Sequence, residues 1–310
     1  MAGLSCASML QAMGLPVSVF EKSRGLGGRL STRRGDGWQC DHGAPGFEAK
    51  SGDFRDQLDR WQAAGAAQPW KSAGQYTSTT AKHANPHSFV GTPRMNSPAR
   101  LLASTLNVRR NARVDEIRQM GSHWQIRLED QAWLESPWSA IVIAVPAPQA
   151  ATLLRGVAPG LAKLADEVPM TPCWSVIAQS DGPAEVLSGL TLAPGSAIET
   201  ALCDRAKPAR TGKNCWLLQA TVEWSEKYLE AKSNWVCERL VDDFQQFSGI
   251  KVRSAGAHRW RYARAPAPAL IGSYWDGELH IGLCGDWLCQ GSVEGAWRSG
   301  RQLAARLRLS

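Results

Sequence analysis

Two carboxylates and two glycine clusters, set at opposite ends of the chain, are the residues best suited to hold a nucleotide. Glu21 closes the run Val17-Ser-Val-Phe-Glu21 and is followed by Lys-Ser-Arg24-Gly25-Leu-Gly27-Gly28-Arg29. A carboxylate at the end of a buried strand can accept two hydrogen bonds from a ribose diol. Gly25, Gly27 and Gly28 let backbone approach a phosphate or ribose where a Cβ would clash. Arg24 and Arg29 can neutralise a pyrophosphate, and arginine can grip it in bidentate fashion. At the other end, Leu279-His-Ile-Gly-Leu-Cys-Gly285-Asp286 leads into Gly291-Ser-Val293-Glu294-Gly295-Ala296-Trp297. Asp286 can hold a sugar-alcohol hydroxyl. The helix opening near Val293 offers N–H groups and the positive end of its dipole to a developing anion. Taken singly, each feature has a plainer reading: a charged strand end, a flexible loop, a turn aspartate that caps a helix. Together they point to one site for a nucleotide cofactor whose reactive ring lies near the C-terminal helix.

Other groups are candidates for the reacting side of such a site. Asp41-His42-Gly43-Ala44-Pro45-Gly46-Phe47 is placed to lie beside the ring, with His42 as a possible acid or base. His258-Arg-Trp-Arg-Tyr-Ala-Arg264 can line a pocket. Arg205, Lys207 and Arg210 can meet substrate phosphates, although a surface loop accounts for them equally well. A lone histidine is more often structural, and most of the fourteen tryptophans must belong to the core. No Ser/His/Asp or Cys/His grouping carries a nucleophile signature.

Local patterns supply the elements that must position these residues. Residues 4–13 read as a helix with small residues turned to a sheet, and Val17 to Phe20 as a short buried strand. Asp53 to Gly65 is a helix with Phe54, Leu58 and Trp61 on one face and a glycine stop. Residues 71–88 are polar and irregular. A second helix over 98–106 turns Leu101, Leu102 and Leu106 inward. Arg113–Arg118, His123–Leu128 and Ala132–Glu135 alternate as a small antiparallel sheet. Ala140-Ile-Val-Ile-Ala-Val145 is a continuous apolar strand of the parallel-sheet kind. Beyond it, a strand starts at Trp216 and one long helix runs near 225–247. A final helix from Val293 has Ala296, Trp297, Gly300, Leu303, Ala304 and Leu307 inward. This order implies an α/β fold with an antiparallel insert. The cofactor domain is expected over 1–48, 95–150 and 277–310, and the substrate domain over 49–94 and 151–276.

Composition narrows the class. The chain has 310 residues, enough for two modest domains, and a formal charge of +7. The basic residues are scattered, which permits an anionic ligand without indicating nucleic-acid binding. The eight cysteines form neither a C-x-x-C pair nor a zinc spacing, so they read as reduced thiols of a cytoplasmic protein, with no metal site. No apolar run approaches the ~18 residues of a membrane span. Residues 1–20 carry no charge but lack the basic start of a signal peptide. Gly3 stands where the third glycine of a dinucleotide-binding turn belongs. The strand and two glycines that precede it in such a unit are missing, so either the true start lies upstream or the cofactor site is weakened.

At these residues the chain resembles the FAD-dependent amine-oxidase-like flavoproteins, and in particular their bacterial renalase-like branch. The segments that carry the resemblance are Ala2–Ala7, Val19–Ser31, Asp41–Ala44, Val90–Pro93, Ile143–Gln149, Ala257–Trp260, Cys284–Trp287 and Val293–Trp297. It implies a Rossmann-like FAD domain with an inserted α+β substrate domain, arranged as in p-hydroxybenzoate hydroxylase. It also implies oxidation of misreduced dihydronicotinamide dinucleotides, with O₂ as acceptor and H₂O₂ as product. By the same resemblance Glu21 would hold the adenosine ribose, Arg29 the pyrophosphate and Val114 the adenine through its backbone. Asp286 would bind the ribityl or phosphate region, and Val293 to Ala296 would cover the pyrimidine edge of the flavin. The chain departs from the family pattern at Pro45 and Gly46 and at Ser292, where the family has arginine. Amine oxidation is the alternative chemistry, and a non-catalytic paralogue the alternative of another class.

Overall fold

The computed structural model describes residues 1–70, 75–77, 88–129, 131–135, 137–181 and 195–307. The chain forms two compact units. The first comprises 1–28, 99–170 and 264–310, and the second 29–98 and 171–263. The sequence placed the changeovers at 48/49, 94/95, 150/151 and 276/277. Residues 29–48 group with the second unit because the hairpin Thr32–Gly35/Trp38–Asp41 ends in Asp41, which is ion-paired to Lys207 and Arg210.

The first unit contains two parallel strand pairs. Ser18–Glu21 runs beside Asn107–Arg110, and Ile141–Ile143 beside Ile281–Cys284, which also pairs antiparallel with Ser273–Asp276. The apolar Ile-Val-Ile run is therefore the buried parallel strand that its composition indicates. Helix Ala2–Ala12 is built from small residues, which lets it pack closely. A Cβ on Gly3 would lie 2.9 Å from Ala144 Cβ, so only glycine permits this approach of helix to strand. Ser5 Oγ donates to Trp297 O at 2.8 Å and ties this helix to Val293–Leu307. Val114–Met120 and His123–Leu128 form the expected antiparallel hairpin. The third strand expected at Ala132–Glu135 is reduced to an isolated bridge between Arg127 and Trp133, with another between Trp124 and Trp138. Helix Ser97–Leu102 is shorter than expected, and Leu101 is 39% exposed rather than inward.

The second unit is organised by a five-stranded sheet, antiparallel across Thr171–Ser180, Asn214–Ala220, Ile198–Cys203 and Gln75–Thr77. Its order is Arg253–Arg264, Thr171–Ser180, Asn214–Ala220, Ile198–Cys203 and Gln75–Thr77. The last strand falls in a stretch read as irregular, most of which (71–74 and 78–87) lies outside the described residues. One face of the sheet carries Trp174, Val176, Trp216 and Leu218 against Val236, Leu240 and Phe244. These last three recur at four-residue spacing on helix Ser233–Ser248, which stops at Gly249 with φ 71°. The single helix expected over 225–247 is two, Val222–Lys227 and Ser233–Ser248. Thr221 caps the first by accepting from Trp224 N. Among the described residues no helix is long and apolar enough to cross a membrane.

Candidate functional site

In the first unit, Glu21 stands at the end of one parallel strand, Ser18–Glu21, and Gly285-Asp286 follows another, Ile281–Cys284. Glu21 is the last residue of its strand, and its Oε1 accepts Ser23 N at 2.8 Å. That is the only hydrogen bond of this carboxylate among the described residues, so Oε2 is uncommitted. The Glu21 carbonyl accepts Ala112 N at 3.0 Å, and Ser23 O accepts Asn111 N at 3.3 Å. These two bonds bring the loop after Glu21 beside the turn that leads into Val114, so the structure places the ribose and adenine candidates together. Arg24 and Gly28 are exposed. Gly28 has φ 55°, and a Cβ added there would meet nothing within 4 Å. An uncommitted carboxylate oxygen at a strand end, with an open glycine turn after it, fits the ribose and phosphate end of a dinucleotide.

At the C-terminal end, Asp286 is buried and opens a turn over Asp286–Leu288. Gly285 N donates to Ser299 Oγ at 2.9 Å, so the last helix holds the Gly-Asp step in place. Ser292, not Asp286, caps that helix. Gly295 N donates to Ser292 Oγ at 2.9 Å and Ala296 N to Ser292 O at 2.9 Å. Stabilisation of an anion by this end therefore rests on the dipole and on the N–H groups ahead of Gly295. Glu294 and Ala296 are buried in the first turn.

Arg29 and residues 41–46 belong to the second unit. Arg29 Nη1 donates to Ala263 O at 3.1 Å. Asp41 sits at the end of strand Trp38–Asp41 with both oxygens occupied. Oδ1 accepts Thr32 Oγ1 at 2.5 Å and Met95 N at 3.2 Å. Oδ2 meets Arg210 Nη2 at 2.6 Å and Lys207 Nζ at 2.9 Å. Lys207 also reaches Asp204 Oδ1 at 2.9 Å, and Arg210 Nε lies 3.5 Å from Asp204 Oδ2. All four side chains are excluded from water. Burial alone would raise the Asp41 pKa, but Lys207, Arg210 and the Thr32 hydroxyl hold it well below the usual carboxylate range. Asp204 is shifted the other way, because burial and the Asp41 charge outweigh its share of Lys207 and Arg210. Lys207 and Arg210 are thus consumed by internal ion pairs and do not present charge to substrate phosphates, contrary to the expectation. Arg205 stays exposed and donates to Arg210 O. Sequence reading missed this quartet. The signal was Asp204-Arg-Ala-Lys207, whose i,i+3 spacing suits an internal acid–base pair, but its partner Asp41 is distant in the chain.

Next to Asp41 the chain is pinned by its backbone. His42 N donates to Ser31 O at 3.2 Å, and His42 O accepts Trp260 Nε1 at 2.8 Å. Gly43 O accepts Gln219 Nε2 at 2.9 Å, and Ala44 N donates to Arg29 O at 2.8 Å. Gly43 is required here, because a Cβ would overlap the Arg29 carbonyl. The His42 ring is 7% exposed and packs against His258 (centroids 5.1 Å apart) and Trp260 (5.2 Å). Burial first, then His258 and Arg33, lower its pKa to about 4, so it is a neutral imidazole at neutral pH. The structure thereby brings together His42 and His258, which the sequence could only name separately. Pro45 continues this segment and Gly46 packs against Trp70 and the Phe89 carbonyl.

Comparison with known proteins gives the family and the fold. Residues 1–61 match the NAD(P)-binding Rossmann-like domain, and residues 52–308 match the flavin containing amine oxidoreductase family. Cyclohexylamine oxidase from Brevibacterium oxydans IH-35A shares the fold with a TM-score of 0.72 at 14% identity, over 99% of this chain and 96% of that one. Putrescine oxidase, solved bound to putrescine, superposes with a TM-score of 0.71 at 12% identity, over 100% and 97% of the two chains.

Proposed function

The chain belongs to the flavin containing amine oxidoreductase family, and from that premise we propose that it oxidises dihydronicotinamide dinucleotides of the misreduced kind, with O₂ as acceptor and H₂O₂ as product. Its cofactor is FAD, and it is an oxidoreductase acting on a small molecule. The finer assignment is to the renalase-like branch, on the segments quoted above, with a p-hydroxybenzoate hydroxylase-like arrangement and a cytoplasmic location. The first unit would hold the cofactor and the second would face the substrate.

The observation that carries this reading is the charge around His42. Its carboxylate neighbour Asp41 is fully occupied by Thr32, Met95 N, Lys207 and Arg210. Arg33 stands close by, with Nη1 donating to Ala257 O at 3.4 Å. A cation arriving beside the imidazole meets the same forces that keep His42 unprotonated: loss of water and a nearby guanidinium. An ammonium substrate is disfavoured there, whereas a neutral planar hydride donor with anionic phosphates is not. The His42 and His258 rings offer aromatic surface for such a ring.

FAD, when bound, supplies a two-electron acceptor that returns its electrons to O₂. This chain's residues would bind and orient. Glu21 Oε2 would accept ribose hydroxyl protons, the Val114 backbone would meet adenine, and Arg24 and Gly28 would receive phosphates. Asp286 would accept from the sugar-alcohol chain. The dipole of helix Val293–Leu307 would favour negative charge at its start. Amine oxidation is the second reading. It is favoured by the family itself and by the two named structural relatives, both amine oxidases. Turnover separates the two. FAD-loaded protein in air should release one H₂O₂ per dihydronicotinamide oxidised, while release only with primary amines would transfer the assignment to amine oxidation.

A further inference from the structure

Residues His42 to Ala44 lie on the face of the five-stranded sheet opposite its hydrophobic core. The core face is marked by Trp174, over which Arg259 stacks at 5.7 Å. Residues alternate across a strand, so His258 and Trp260 point away from Arg259. Gln219 is the cross-strand partner of Ser175 and Thr200, a polar row among buried neighbours. Four main-chain groups of the segment have partners: His42 N, His42 O, Gly43 O and Ala44 N. Two of these partners are side chains of the sheet. Both are donors, both reach carbonyls, and both come from strands far away in sequence. Among the described residues, Nδ1 of the His42 ring is a buried side-chain atom of this segment without a partner.

We propose that Trp260 and Gln219 are positioning residues: by donating to the His42 and Gly43 carbonyls they fix the His42 imidazole at the substrate-facing surface of the sheet. This rests on the reading above, that the segment faces the substrate. A backbone held at two consecutive carbonyls cannot rotate the intervening peptide, which fixes the direction of the His42 Cα–Cβ bond, while His258 and Trp260 pack on the ring itself. Neither donor touches a reacting atom. The charged and titratable groups facing the ring are His258 and Arg33, with Asp41 next to it in the chain. None of these residues is replaced in the variants below, so a change in His42 behaviour reports on the ring's position.

The test uses Trp260→Phe, which keeps an aromatic ring but removes the N–H, and Gln219→Leu, in FAD-loaded protein. Two quantities are read: kcat per bound flavin against KM with a dihydronicotinamide substrate, and the titration of the His42 ring by NMR, assigned with His42→Gln. A loosened ring regains water, so its midpoint should move up from about 4 toward the ordinary 6.5. The loss of a buried hydrogen bond should lower kcat by roughly 5- to 30-fold with KM little changed. A merely structural role would lower melting temperature and leave both readouts alone, and that result overturns the proposal. If the titration moves while kcat does not, the two donors do hold the ring, and it is the reading of His42 as substrate-facing that fails.

Discussion

Asp41 Oδ2 and Arg210 Nη2 meet at 2.6 Å with both side chains excluded from water. The contact joins the strand that delivers His42 to a turn 169 residues away, and it explains why residues 29–48 group with the second unit. Removing one partner of such a pair strands the other as a buried charge, which typically costs about 3–5 kcal/mol.

Asp41 and Asp204 share the same two cations but are shifted in opposite directions, so their replacements should not cost the same. Asp41 strongly prefers its charged form, and Asp204 prefers its neutral one more than an ordinary carboxyl does. At pH 7, Asp41→Asn should therefore lower the urea midpoint of unfolding more than Asp204→Asn. The reverse order would mean that Asp204 is the anion that balances Lys207 and Arg210.

His42 makes stability depend on pH. Its folded pKa, about 4, lies below the ordinary 6.5, so the folded state prefers the neutral ring. The contribution is fully present above about pH 6.5, shrinks as pH falls, and is gone below about 4, where both states are protonated. A gap of this size corresponds to about 3 kcal/mol at ~1.4 kcal/mol per pKa unit. Urea unfolding between pH 7 and 4 should show the loss, and His42→Gln should flatten the curve in that window. Parallel curves for the two proteins would contradict a depressed His42.

Glu21→Ala should weaken FAD binding and leave the apoprotein's melting temperature nearly unchanged. The carboxylate is partly exposed and spends one oxygen on Ser23 N, so little of the fold depends on it. Each hydrogen bond it makes to a ribose hydroxyl is worth about 1.5–3 kcal/mol at most. Calorimetric titration with FAD checks this. Unchanged affinity with a sharp loss of stability would make Glu21 a structural residue.

Ser292→Ala should cost about 1 kcal/mol of stability, the usual value of a lost N-cap, because Gly295 N loses its acceptor. Ser292→Asp, which restores an acceptor and adds a favourable charge at the dipole's positive end, should recover it. Equal midpoints for Ala and Asp would show that the cap does not contribute.

The parts legible in the sequence were those set by local periodicity. The small-residue helix before Val17, the parallel strand at Ile141–Ile143, the hairpin at 114–128 and the C-terminal helix all follow from spacing of apolar residues. Glu21, Gly285 and Asp286 were legible because strand ends and glycine turns are short-range features. What escaped was long-range. The quartet of Asp41, Asp204, Lys207 and Arg210 needs residues 163 or more positions apart to meet, so its bases read as ligands of substrate phosphates or as a surface loop. The break at 228–232 was masked because apolar residues continue through it: Tyr228, Trp224 and Trp235 pack together at the bend, with Trp224 and Trp235 stacked at 5.9 Å. Ser292 looked like a lost arginine, while its position just before the last helix marked it as a cap.

The central claim is that the surface around His42 accepts a neutral dihydronicotinamide ring and rejects an ammonium. It is tested most directly by anaerobic stopped-flow bleaching of the FAD-loaded protein, with dihydronicotinamide dinucleotide isomers and primary amines offered at equal concentration. The flavin absorbance near 450 nm should bleach faster with the dinucleotides, and lowering the pH toward the His42 midpoint should slow that reaction. Faster bleaching by an amine would contradict the account.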